Sequence, residues 1–185
     1  MVLAFAVLVG LIASVARHRH RTWAEITSLP LRSAWLAPVA LLLQVPLLRA
    51  RAGSTQDLDI QQGLFLASQI LLLAFVWRNR WLAGMLIVGH GLLCNLAVIA
   101  ANGGFMPITP ETLLLINPGT SLDQWPIGMH YGYSKDVILP WEATRLWALS
   151  DIFVIPPPFP WPTALSPGDV FIAIGVVVLL QGPDL

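Results

Sequence analysis

No Asp, Glu, Lys or Arg interrupts residues 81–101. A run of that length, about 20 residues, is what a helix needs to cross the roughly 30 Å hydrocarbon core of a bilayer. Further apolar runs occupy 1–16, 33–48 and 60–77, and a shorter one follows Asp169. Hydrophobic residues make up 56% of the chain and charged residues 11%, with a mean hydropathy of +0.73. That balance lies outside the range of a soluble domain, so lipid is the expected solvent for these runs. The expectation is one all-α domain over 1–185: a polytopic membrane helical bundle of about five transmembrane helices. They would lie at about 1–16, 33–48, 60–77, 81–101 and 168–182, with an ordered extramembrane cap over 102–167.

The connections set an expected orientation. The first run has no basic residue ahead of it and is followed at once by Arg17, His18, Arg19, His20 and Arg21. A cleaved signal peptide has the opposite polarity, so this run reads as a retained helix with its N-terminus outside and the arginines in the cytoplasm, against anionic membrane lipids. The cap would then face outward and the C-terminus inward. Trp23, Ile26 and Leu29 recur at helical spacing and suggest a short interfacial stretch before Arg32. In the second run, Pro38 and Pro46 sit near the ends, where a missing donor does least harm, and Trp35 falls at headgroup level. Residues 49–59 are polar, Arg78-Asn79-Arg80 make a tight connection, and Asn102-Gly103-Gly104 with Pro107 ends the fourth run. The last run spans about 18 Å as a helix, which is short for a crossing without help from its flanks.

The cap is rich in Pro, Gly, Trp and acidic residues, too aromatic for a flexible linker. Within it, residues 141–155 place Trp141, Leu146, Leu149 and Phe153 toward one side of an expected amphipathic helix that Pro156-Pro157-Pro158 would break. No internal repeat relates the halves, so the simplest pointer to a secondary transporter is missing. With a formal net charge of zero, no basic surface remains for a nucleic acid.

Ionisable groups inside a bilayer usually mark proton or ion paths, and in the first four runs His90 alone is titratable at depth apart from the Cys94 thiol. His90 and Cys94 are four apart, but two ligands do not make a metal site and the lone cysteine forms no thiolate cluster. His90 is therefore either a hydrogen-bonded structural residue or the single ligand of a pigment. Gly84, Gly91, Asn95 and Asn102, spaced seven, four and seven apart, form a stripe of small and amide side chains suited to close helix packing. Gln44 and Gln69 are its natural partners on the second and third runs. The same amides would alternatively line a pocket under the cap for a quinone, a pigment or a lipid.

In the cap, Asp136, Glu142, Asp151 and Asp169 offer hard oxygen ligands for a divalent cation, but at no recognised loop spacing. Helix capping is the plainer use, Asp169 at the start of the last run and Asp151 against a turn or Arg145. Ser134 and Ser150 have no histidine at a nucleophile's spacing, His130 being the one candidate base. The residues require no catalytic site, metal or cofactor.

Three blocks of the chain stand out: Asn95 with Val98-Ile99-Ala100-Ala101-Asn102-Gly103-Gly104-Phe105-Met106-Pro107, then Thr144-Arg145-Leu146 with Asp151, then Ser166-Pro167-Gly168-Asp169-Val170. In these blocks the chain resembles a group of uncharacterised bacterial integral membrane proteins, a domain of unknown function. Ser150 stands where a glycine is expected and Pro167 where an apolar residue is. The resemblance implies a shared fold and a bacterial plasma membrane location, and no activity. The leading functional expectation is a non-catalytic accessory or scaffold subunit bound to other membrane protein subunits of a larger complex, an energy-transducing one included. The runner-up is the ligand-binding protein with its pocket under the cap.

Overall fold

The computed structural model describes residues 10–12, 29–45, 58–131 and 134–181. Helix α1 covers Leu36–Leu43, α2 Leu58–Arg78 and α3 Met85–Ala101. Strand β1 (Met106–Ile108) and helix α4 (Pro110–Ile116) follow. Then come strands β2 (Asp136–Ile138), β3 (Phe153–Ile155) and β4 (Thr163–Leu165), and helix α5 (Pro167–Gln181).

Strand β1 pairs in parallel with β2, and β3 pairs antiparallel with β4. These four three-residue strands and the helix lengths correct the expectation of an all-α bundle of about five crossings. Among the described residues α2 alone is long and apolar enough to cross a membrane, over Ile60–Arg78; α3 and α5 are apolar but only 17 and 15 residues long. The local causes are visible. Gly84 takes φ 83°, which delays the start of α3 to Met85, and Ser33 at φ 53° precedes an α1 of only 8 residues. The strands were hidden because three residues are too few to show a two-residue period, although Asp136-Val137-Ile138 and Phe153-Val154-Ile155 carry the β-branched residues that strands favour. The first expected crossing, except residues 10–12, the arginine cluster and Pro46 lie outside the described residues.

The expected helix over 141–155 is also absent. The segment instead makes 3₁₀ turns at Trp141–Ala143 and Trp147–Leu149, separated by extended Thr144 and by Leu146 at φ 53°, and then enters β3. Side chains compete with the helix here: Thr144 Oγ1 donates to Pro140 O (2.9 Å) and Ser150 Oγ to Trp147 O (2.6 Å). The Arg145 N–H, which a helix would bond to Trp141 O, donates to Asn102 Oδ1 instead (2.9 Å).

Two close approaches position everything else. Helix α5 runs antiparallel along α3, with Gly168 against Gly91 and Asn95, and Gly175 against Gly84 and Val88. A Cβ on Gly175 would sit 2.7 Å from both Gly84 O and Val88 N, backbone atoms that cannot swing aside. The small-residue stripe thus packs on α5, and Gln44 and Gln69 are not its partners: Gln44 Nε2 donates to Ser68 Oγ on α2 (3.0 Å), and Gln69 is buried on the same helix. On the other side, Val76, Met85 and Leu92 join α2 to α3.

The cap has its own core of Ile108, Leu113, Ile116 and Ile138. It is joined to the helix ends by a second cluster of Phe65, Val98, Ile99, Phe105 and Met106. Burying such side chains fully stabilises by about 1.5–3 kcal/mol each, so the cap is packed rather than tethered. Helix α4 starts cleanly, with Thr109 as N-cap accepting from Thr112 N (3.2 Å) and Pro110 at the first helical position.

The glycines give a direct test. Gly175→Ala is expected to lower stability by about 1–3 kcal/mol through overpacking against α3. Gly63→Ala, on an exposed face of α2 with nothing within 4 Å of the new methyl, should raise it by about 0.4–1 kcal/mol. Thermal unfolding of the two variants under one solution condition compares them; equal midpoints would mean that the α3–α5 contact is looser than described.

Candidate functional site

The polar residues of the junction converge where α5 begins. Ser166 and Asp169 form a reciprocal cap: Asp169 N donates to Ser166 Oγ (3.0 Å) and Ser166 N donates to Asp169 Oδ2 (3.2 Å). Asn95, on α3, addresses both partners. Its Nδ2 donates to Asp169 Oδ1 (3.0 Å), and its Oδ1 accepts from Ser166 Oγ (2.8 Å). One amide thereby holds the first turn of α5, with Gly168 allowing the approach, because a side chain there would collide with Asn95 Oδ1.

Lys135, on the residue before β2, completes the cluster from the cap. Its Nζ lies 3.2 Å from Asp151 Oδ2, 3.7 Å from Asp136 Oδ1 and 3.8 Å from Asp169 Oδ2. Burial opposes the lysine's charge, but the negative charges of Asp151, Asp136 and Asp169 more than reverse that and hold the ammonium above the usual lysine range. Three carboxylates around one ammonium carry surplus negative charge. It is relieved at Asp151, where burial first and then the charges of Asp136 and Asp169 push the carboxyl well above the usual range in spite of Lys135.

Beside this cluster, Asn102 ends α3 and clamps the backbone of Arg145. Its Nδ2 donates to Val98 O (2.7 Å) and Arg145 O (2.8 Å), while its Oδ1 accepts from Arg145 N. Asn79 does the same at the end of α2: Nδ2 donates to Phe75 O (2.8 Å) and Arg32 O (2.9 Å), and Oδ1 accepts from Arg32 N (2.7 Å).

The structure therefore brings together Asn95, Asp151 and Asp169, with Asn102 alongside, and keeps other candidates apart. His90 is exposed on α3 with Nδ1 2.7 Å from Leu86 O, one turn back on its own helix. Glu142 is exposed and forms no metal-holding group with Asp136, Asp151 and Asp169, the gathering weighed above as the alternative to helix capping. Asp151 meets Lys135 rather than Arg145. Lys135 Nζ fills the position among Asp136, Asp151 and Asp169 that a bound cation would take, and among the described residues no three His, Cys, Asp or Glu side chains are placed to hold a metal. His130 is buried, edge-to-face with Phe105 at 4.9 Å.

Sequence reasoning missed Lys135, Asn79 and Ser166. Lys135 is the only lysine in the chain, and Ser166-Pro167-Gly168-Asp169 has the Ser-x-x-acid spacing of a capping box. Both signals were present. The chemistry of the arrangement is that of a lock: an ammonium whose charge the surrounding carboxylates favour, acceptors turned toward it, and amides whose donors are spent on the Asp169 carboxylate (Asn95) or on backbone carbonyls (Asn79, Asn102).

This chain belongs to a family of unknown function, DUF5317, whose model matches residues 28–181 and so takes in every element from α1 to α5. No curated protein and no solved structure matches it.

Lys135→Met would leave the carboxylates without a counter-charge and is expected to cost about 2–4 kcal/mol at neutral pH. Asp151→Asn should cost little or stabilise, since it removes the surplus charge. The sign with pH follows from the raised Asp151 pKa: the folded state holds that proton more tightly than the unfolded chain does. Stability from this group is therefore greatest below the ordinary carboxylate range and declines as pH rises through the raised folded value. Unfolding midpoints measured between about pH 4 and pH 8 should show the decline in the natural protein and a flatter profile in Asp151→Asn. A decline undiminished by the substitution would assign it elsewhere.

Proposed function

We propose that the protein is a non-catalytic, membrane-embedded accessory or scaffold subunit of a larger membrane complex. One observation carries the reading: five polar side chains of the junction are engaged in holding the molecule together. Asn95, Ser166, Asp169, Lys135 and Asp151 form one connected chain of hydrogen bonds and ion pairs from α3 through α5 to the cap. A substrate-binding site needs donors or acceptors left free for its ligand, and this chain spends them internally.

The outer surface supports the same reading. Large apolar side chains project outward from each long helix: Ile70 and Trp77 on α2, Leu86 and Leu93 on α3, Phe171 and Ile174 on α5. Exposed apolar area on this scale favours lipid or partner helices over water. Helix α2 has the length for a crossing, and the 22% burial of its apolar window fits a helix that lies at the surface of its own chain rather than at the centre of a soluble core.

Membrane fractions of the source cell, washed with alkaline carbonate and then solubilised in mild detergent, test both halves of the proposal. The protein is expected to resist the wash and to co-purify with other membrane proteins at fixed stoichiometry. Release by carbonate would overturn the membrane assignment. A monodisperse protein carrying a quinone, a pigment or a lipid at one per chain would replace the scaffold with a ligand-binding function.

A further inference from the structure

The ends of the helices are marked by exposed tryptophans beside arginines. At the turn from α2 to α3, Trp77 and Trp81 are 67% and 47% exposed. Arg80 lies over the Trp77 ring at 4.4 Å and Arg32 over the Trp81 ring at 4.1 Å. Trp35, also exposed, enters α1 three residues after Arg32. At the opposite end of α3, the rings of Trp141 and Trp147 pack at 4.0 Å between centroids with both side chains still exposed, and exposed Arg145 stands between them in sequence.

Each group is fixed to a helix terminus by the same device. Asn79 clamps the backbone of Arg32 at the end of α2, and Asn102 clamps that of Arg145 at the end of α3. The second clamp precedes Leu146, held at φ 53° and half exposed. A left-handed leucine is a strained conformation, and its apolar side chain is turned outward next to Trp147 in the chain.

Between the two groups α3 runs for 17 residues, or about 26 Å, and the flanking turns add to that. This approaches the roughly 30 Å of a bilayer's hydrocarbon core. Leu86 and Leu93 are exposed along the interval. The charges that meet α3 within this interval are engaged inside the molecule: Asp169, held by Asn95, is 21% exposed and pairs with Lys135, while the side chains of Asp151 and Asp136 are 2% and 11% exposed.

We infer that these two groups are interfacial anchors that seat the molecule in a lipid bilayer, one in each headgroup region, with the Asn79 and Asn102 clamps fixing the distance between them. Tryptophan and arginine suit that zone because one part of each side chain is apolar and the other wet. The inference rests on the membrane reading above and adds a depth and a pair of surfaces to it.

The test uses the full chain reconstituted into phosphatidylcholine vesicles brominated either near the headgroup or deep in the acyl chains, with Trp77→Phe/Trp81→Phe and Trp141→Phe/Trp147→Phe variants. Each double substitution is expected to remove part of the fluorescence quenching by the shallow bromines and to leave quenching by the deep ones unchanged. The unmodified protein, which needs no variant to fold, should be quenched more by the shallow lipid than by the deep one. If the protein floats with vesicles but loss of the Trp141 and Trp147 rings leaves shallow quenching unchanged, that group faces water or a protein partner and the inference fails while membrane embedding stands. Failure to float overturns both.

Discussion

The approach of α3 and α5 at bare backbone is the contact on which the rest of the molecule depends. Glycines at 91 and 168, and again at 84 and 175, remove the side chains that would hold the helices apart. At that separation a residue as short as Asn95 reaches both members of the cap that starts α5, and the Asp169 carboxylate is delivered within reach of Lys135. A longer amide across a wider gap would lose rotamer entropy and geometric definition. Packing therefore comes first, and the electrostatics are its product.

Asparagine at a helix end is the second recurring solution. Asn79, Asn102 and Asn117 each follow the last residue of a helix and donate to the carbonyl four residues back. That satisfies a backbone acceptor the helix would otherwise leave open. What remains of the amide is then free to hold something distant: the backbone of Arg32, the backbone of Arg145, or the Tyr131 hydroxyl. A polar group in a mostly apolar molecule is costly unless every donor and acceptor is matched, and here one residue type meets the local need and the long-range one together.

The helices were legible where their signal was long. The apolar runs at 60–77 and 81–101 correspond to α2 and α3 within a few residues, because composition alone marks them. The strands and the turns at Trp141 and Trp147 were not legible, since they are fixed by partners far away in sequence: β1 by β2, and Arg145 by Asn102. The same holds for the site. Asn95, Asn102 and Asp169 stood out by residue type, whereas Ser166, Lys135 and the Arg145 backbone that they hold did not. The stripe was assigned to Gln44 and Gln69 because amides pair well, yet α5 offered glycines, and close approach decided the matter. Among the described residues fewer helices reach crossing length than the apolar runs suggested, because an apolar run reports solvent preference and does not report where a left-handed Gly84 or Ser33 interrupts a helix.

The Asn95 contacts with Ser166 and Asp169 bridge 71 and 74 residues of chain. Closing separations of that size is slow relative to forming a helical hairpin such as α2–α3. During synthesis, Lys135, Asp136 and Asp151 all emerge ahead of α5, so the acidic surplus of the cap meets its anchoring helix only after the rest of the cap has been made. The timing of assembly is thus written into the order of the elements: the α2–α3 hairpin can form first, and the final helix, with its one capping carboxylate, closes the molecule.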